Sequence, residues 1–113
     1  MKDKIVSLSK NEDFKSLLKG KKRSNKYFTI FFKKLVNKNS KSLNISFVTK
    51  KKLGNAVKRN KIKRRLKNMT NDAVKKISIN FNYSYLVVAK NAVFSDDYTN
   101  IKKTLFSDFE RIK

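Results

Sequence analysis

A chain of 113 residues with 30 Lys and Arg against 8 Asp and Glu carries a formal charge of +22, and repulsion on that scale works against compaction unless a polyanion binds. The absence of both Cys and His removes disulfides, thiolate and imidazole chemistry and the usual zinc sites. Hydrophobic residues reach 39 %, too many for a disordered arm, yet no apolar run approaches the ~18–20 residues of a membrane span. Residues 1–113 therefore read as one folded basic domain with a modest core. Nucleic acid is its leading partner and an anionic membrane surface the second. No secretory segment opens the chain, and a Cys-free composition is compatible with the cytoplasm.

The first predicted element is a short helix from Ser9 to Lys19. Ser9 is a candidate N-cap, Glu12 stands three residues on, and Leu8 suits a hydrophobic staple. Phe14, Leu17 and Leu18 form its apolar stripe, and Gly20 is a reasonable stop. Residues 20–26 read as a basic loop. Tyr27 to Leu35 then alternates as a strand, with Phe28, Ile30 and Phe32 on one face and Tyr27, Thr29, Phe31 and Lys33 on the other. After a polar turn, Leu43 to Thr49 forms a second strand, and the two are expected to pair as a hairpin. The apolar face should be buried. The mixed face, with its aromatics beside cations, suits single-stranded nucleic acid, because every base has a face to stack. A second small core is the alternative for Phe31.

Residues 50–67 hold ten Lys or Arg among eighteen positions and no acid. Gly54 is a break and Asn55 a candidate N-cap. Ile62, Leu66, Met69, Ala73 and Ile77 then recur with the period of one helical face. Asn60, Arg64 and Lys67 fall opposite them. This predicts an amphipathic helix from about Ala56 to Ile77. Its charge is badly placed for stability. A cation at a helix N-terminus costs about 0.3–1 kcal/mol, and Lys50, Lys51, Lys52, Lys58, Arg59 and Lys61 all gather there. An anion would reverse that cost, since free backbone N–H groups and the dipole point to the same place. A solvated charged face is the bland alternative.

Beyond the helix, residues 78–82 read as a linker and Tyr85 to Lys90 as a buried strand. Strand–helix–strand order suggests that it pairs parallel to an earlier strand. Asn91 to Ser95 reads as a loop. A last helix, capped by Ser95 or Asp96, runs to about Ile112 on a stripe of Ile101, Leu105, Phe106 and Phe109. Asp96 and Asp97 read as acids suiting the helix dipole rather than as a metal pair. The eight acids are scattered, with no nucleophile–base pair and no Gly-rich phosphate cradle. The residues thus describe a binder with no catalytic group and no metal site of its own.

The run Lys51-Lys52-Leu53-Gly54-Asn55-Ala56-Val57, followed by Arg59-Asn60-Lys61 and Lys63-Arg64, resembles the signature of the bacterial ribonuclease P protein component. That family shows K-K-x-G-N-A-V, a variable residue, R-N-R, an aliphatic residue and K-R. The stretch L-S-K-N-E-D-F around Phe14 resembles the family's start. The resemblance implies an α+β fold, a small α/β sandwich ordered helix-strand-strand-helix-strand-helix, with a mixed sheet packed against helices. General sterics make the βαβ crossover right-handed; the resemblance implies a left-handed one, and at the level of the sequence both hands stay open.

It also implies a function. In that family a large RNA with bound magnesium cuts the 5′ leader from precursor tRNA, and the protein assists. Mg2+ would enter through the RNA subunit. Carried over by position, Arg59, Asn60, Lys61, Lys63 and Arg64 form the catalytic-RNA face, and Lys67 extends it. Phe14, Phe31, Lys51 and Lys52 would serve the leader, in a cleft between the sheet and the central helix. No membrane and no protein partner is implied. Three positions depart from the pattern. Lys61 replaces the third residue of R-N-R and lacks the bidentate Arg fork. Leu18 stands where relatives often have an aromatic, and Phe31 where they often have Tyr. A ribosomal or ribosome-assembly protein shares the charge and size. A helix-turn-helix DNA binder is disfavoured by strands on both sides of the basic helix, and a membrane-active helix by its modest apolar stripe.

Overall fold

A computed structural model describes residues 4–6, 17–34, 42–77, 79 and 83–112. Five strands are β1 (Lys4–Val6), β2 (Lys21–Ser24), β3 (Phe28–Lys34), β4 (Ser42–Val48) and β5 (Tyr83–Ala89). Among the described residues, besides the helical pair 17–18, the helices are α1 (Ala56–Lys76), α2 (Ala92–Ser95) and α3 (Tyr98–Arg111), with a 3-10 turn at Lys51–Leu53. The strands form one sheet in the order β1-β4-β5-β3-β2. β4 pairs parallel with β5 and with β1, whereas β3 pairs antiparallel with β5 and β2. The expected mixed sheet is present, and so is the parallel pairing across α1.

The expected hairpin is not. β5 lies between β3 and β4, with Ile30 opposite Val87 and Ile45 opposite Tyr85. The reason is burial: four consecutive residues of β5, Ser84 to Val87, are buried, and such a strand belongs at the centre of a sheet, not at its edge. The basic loop expected over residues 20–26 contains β2. Its charged sequence Lys21-Lys22-Arg23 lacks apolar alternation, but an edge strand tolerates and even favours such charge. The loop expected over residues 91–95 contains the short α2. The helix expected over residues 9–19 falls outside the described residues except for its end, where the Gly20 N–H donates to the Leu17 carbonyl at 3.0 Å.

The main core cluster packs on one face of the sheet. Phe28 and Ile30 of β3, Ile45 of β4, and Tyr85 and Val87 of β5 meet Ile62, Leu66 and Met69 of α1 and Ile101, Leu105 and Phe109 of α3. Alternation in the strands and the near-four-residue period in α1 and α3 bring these side chains to one layer. Phe106, expected in the α3 stripe, is only half-buried. Tyr27 precedes β3 and joins this core instead of the opposite face. It is 8 % exposed, and its hydroxyl donates to Asp96 Oδ2 at 2.8 Å. That bond explains the start of α3. Asp96 is occupied by Tyr27, by Lys26 Nζ at 3.3 Å and by the Asp97 N–H at 3.0 Å. The helix therefore opens after Asp97, not after Ser95 or Asp96.

Candidate nucleic-acid interface

The helix α1 begins where the sequence predicts. Gly54 has φ +138°, a conformation that L side chains rarely adopt. A methyl there would also meet the Lys58 side chain at 2.7 Å. Asn55 follows in extended geometry, and its Oδ1 accepts from the Lys58 N–H at 2.9 Å, a side-chain cap on the first turn. Ile62, Leu66, Met69 and Ala73 have no exposed surface. Fixing that stripe in the core fixes the opposite face in solvent. Asn60, Lys61, Lys63, Arg64 and Lys67 are all exposed, and Arg59 is half-buried.

Among the described residues none of Arg59, Lys61, Lys63, Arg64 and Lys67 forms an ion pair or a side-chain hydrogen bond. Arg59 Nε is buried and lacks an acceptor; such an orphaned donor costs roughly 1–3 kcal/mol until something supplies one. Arg65 behaves differently. Its guanidinium donates to the Phe94 carbonyl at 3.2 Å and the Asp96 carbonyl at 3.4 Å, and it lies 5.5 Å from the Tyr98 ring centroid. It clamps α1 to the α2–α3 segment. Arg65 thus stands apart from the unengaged face of α1.

A groove of about 590 Å³ opens beside the start of α1. Lys50, Lys52, Lys58 and Lys90 line it with Thr29, Leu53 and Val88. Lys90 was not singled out in the sequence, because it arrives from the end of β5. It is held there by Ser24 Oγ at 2.9 Å and the Asn25 carbonyl at 2.6 Å. Lys58 Nζ donates to Asn91 Oδ1 at 3.2 Å and lies 4.7 Å from the Phe94 ring centroid. Lys52 lines this groove. Lys51 is exposed on the same 3-10 turn but is not among its lining residues.

Phe31 does not lie between the sheet and α1, where the leader cleft was expected. The space between the sheet and α1 is packed core. Phe31 alternates with Phe28, Ile30 and Phe32, so it points to the other face, beside Leu86 of β5 and Lys22 of β2. The Lys22 ammonium is 6.0 Å from its ring centroid. Thr29 precedes Phe31 on that face and also lines the lysine groove. The face is partly covered, since Leu86 is 2 % exposed although it stands outside the core cluster. Phe31 itself is half-buried. Phe14 lies outside the described residues. Leu18, in place of an aromatic, is 52 % exposed.

Three of the five described acids are engaged elsewhere. Asp72 pairs with Lys102 Nζ at 2.7 Å, which holds its carboxyl below the usual range. Asp108 accepts from Asn25 Nδ2 at 2.6 Å and faces Arg23 Nε at 3.6 Å. Bonds from the Tyr27 hydroxyl, the Asp97 N–H and Lys26 hold Asp96 low. Among the described residues no three acids gather as a metal site, and no helix is long and apolar enough to cross a membrane. The arrangement can bind anions.

Comparison with known proteins adds sequence and fold evidence. A family model described as Ribonuclease P matches residues 2–113. A ribonuclease P protein component of Mesoplasma florum is 34 % identical over 107 residues, covering 93 % of this chain and 92 % of its own. The solved RNase P protein of Staphylococcus aureus superposes with a TM-score of 0.74 at 29 % identity, over 94 % of this chain and 93 % of its own. That of Thermotoga maritima gives 0.79 at 23 % identity, over 96 % and 98 %, and bears on the fold alone.

Proposed function

The chain belongs to the ribonuclease P protein family, and from that premise we propose that it is the RNA-binding subunit of a tRNA-processing endoribonuclease. In this reading it docks on a catalytic RNA through α1, with Arg59, Asn60, Lys61, Lys63, Arg64 and Lys67 as the contact face. It also holds the single-stranded 5′ leader of precursor tRNA along the sheet face that carries Phe31, with Lys52 in the adjoining groove and Lys51 beside it. Phe14 is assigned to the leader by the family pattern alone.

The observation that carries this reading is the unengaged cation face of α1. Its side chains are exposed or, at Arg59, half-buried with an orphaned donor, and Asp72, Asp96 and Asp108 pair elsewhere. Folding alone does not explain cations left so at the wrong end of a helix dipole. Phosphates neutralise them and release condensed counterions. Cleavage chemistry then belongs to the RNA, and magnesium enters with that RNA. This chain's residues contribute charge, position and a stacking surface.

Reconstitution tests the proposal. A catalytic RNA of this family and precursor tRNA are combined at low magnesium, with and without the protein. Faster cleavage at the mature 5′ end is expected with it. No gain at any protein concentration would favour an RNA binder of another assembly.

A further inference from the structure

A second basic concavity lies at the opposite end of β3 from the lysine groove, where Lys34 pairs with Tyr83. It encloses about 470 Å³, within the range of small-ligand sites. Lys19, Lys21, Lys33 and Lys34 line it together with Phe32 and Tyr83. None of the described residues lining it is acidic, and all four lysines are exposed. Along β3 the groove reaches Thr29 and the concavity begins at Phe32, three residue steps or roughly 10 Å away and on the other face of the strand, so this site is distinct from the groove at α1.

Its shape depends on Gly20. A methyl at that position would stand 3.0 Å from the Phe32 carbonyl oxygen and 3.3 Å from that of Leu17. A side chain there would crowd the turn against the strand, and the close approach that glycine allows brings Lys19 and Lys21 to the end of β3. Phe32 and Tyr83 meet edge to face, with centroids 5.6 Å apart and planes at 75°. Tyr83 continues edge to face into Tyr85 at 6.2 Å, and Tyr85 into Phe109 at 5.2 Å. The outer pair is only half-buried. The concavity thus joins partly exposed aromatic surface, backed by the core, to a cluster of exposed lysines that suits an anion.

We propose that this concavity is a second nucleotide-binding site, taking one or two nucleotides of single-stranded RNA with base against Phe32 and Tyr83 and phosphate on the lysines. A duplex turns its bases inward and offers phosphates alone; an aromatic wall beside lysines selects an unpaired strand. The proposal rests on the reading of the chain as an RNA binder, but it does not depend on docking through α1.

The test uses the full chain and a short fluorescent oligouridylate, with no catalytic RNA present. Lys19→Ala/Lys34→Ala is compared with Lys75→Ala/Lys76→Ala, the same charge change on the exposed last turn of α1. The first pair should flatten the dependence of log K on log salt by about 1.4, from about 0.7 for each single-strand phosphate contact. The control pair should leave it unchanged. Ring signals of Phe32 and Tyr83 should shift as the oligomer is titrated into the unsubstituted protein. Equal slopes for the two pairs would overturn the site. So would a slope change without ring shifts, which would mean loose phosphate contact only. Ring shifts saturating with free uridylate at lower concentration than with the oligomer would assign the site to a free nucleotide and overturn the RNA reading. Failure of the reconstitution assay, by contrast, would count against the catalytic-RNA partner and leave this site standing.

Discussion

Replacing Lys61, Lys63, Arg64 and Lys67 together by Gln separates binding from folding. All four side chains are exposed and none has an ion pair or side-chain hydrogen bond with the described residues. Surface changes of that kind stay within about 0.5 kcal/mol each in stability. The buried stripe of Ile62, Leu66, Met69 and Ala73, on the other side of the same helix, is untouched. If each of the four side chains neutralises one phosphate, the slope of log K against log salt falls by about 3.6, taking about 0.9 per contact. Over a fourfold rise in salt, the unsubstituted protein should then lose about two orders of magnitude more affinity for the catalytic RNA than the variant loses. Filter-binding titrations between about 50 and 200 mM salt measure this, and thermal melts by circular dichroism check the fold. Parallel salt plots for the two proteins would refute the assignment of this face. So would an affinity loss that tracks a matching fall in melting temperature.

Three further outcomes follow from the same geometry. Leu66→Ala empties a fully buried position between α1 and the sheet and should cost about 2–5 kcal/mol in denaturant unfolding; a loss below 1 kcal/mol would mean that the stripe is not the anchor of the helix. Phe31→Ala should weaken binding of leader-bearing precursor tRNA by about 1–3 kcal/mol, the worth of one base stack, and leave mature tRNA unaffected; an unfolded variant by circular dichroism would instead make Phe31 a core residue. Asp96 is held below its ordinary value, first by the Tyr27 hydroxyl and then by the Asp97 N–H and Lys26. A depressed carboxyl contributes stability above its unfolded pKa, near 3.8, and loses it as pH falls through the lower folded value. Asp96→Asn should therefore be less stable than the unsubstituted protein near neutrality and converge with it in acid; a gap that stays constant down to low pH would contradict the bond network.

The central helix was legible because every local signal agreed. Gly54 and Asn55 mark its start, a near-four-residue period marks its buried side, and the charge run marks the side left over. The sheet order was not legible, because adjacency in sequence favours a hairpin while the burial of β5 on both faces decides its central place. β2 escaped notice because an edge strand of lysines has no apolar alternation to betray it. The site divides in the same way. Exposed cations on α1 were readable from the helical period. Lys90 was not, since only the fold brings the end of β5 to the start of α1, and neither was the clamp made by Arg65, whose acceptors are backbone carbonyls of a distant segment. Phe31 was placed correctly on the mixed face of its strand. The space between the sheet and α1, where a cleft was expected, is filled by core; sequence alternation separates two faces without saying which one the helix covers.

The chain has no cysteine, so a single introduced one carries a photo-crosslinker at a unique place. With Lys63→Cys labelled and the complex assembled on a catalytic RNA of this family, the account predicts efficient cross-links to that RNA, and few from Glu110→Cys on the exposed side of α3. Cross-linking from position 110 equal to that from position 63 would contradict it.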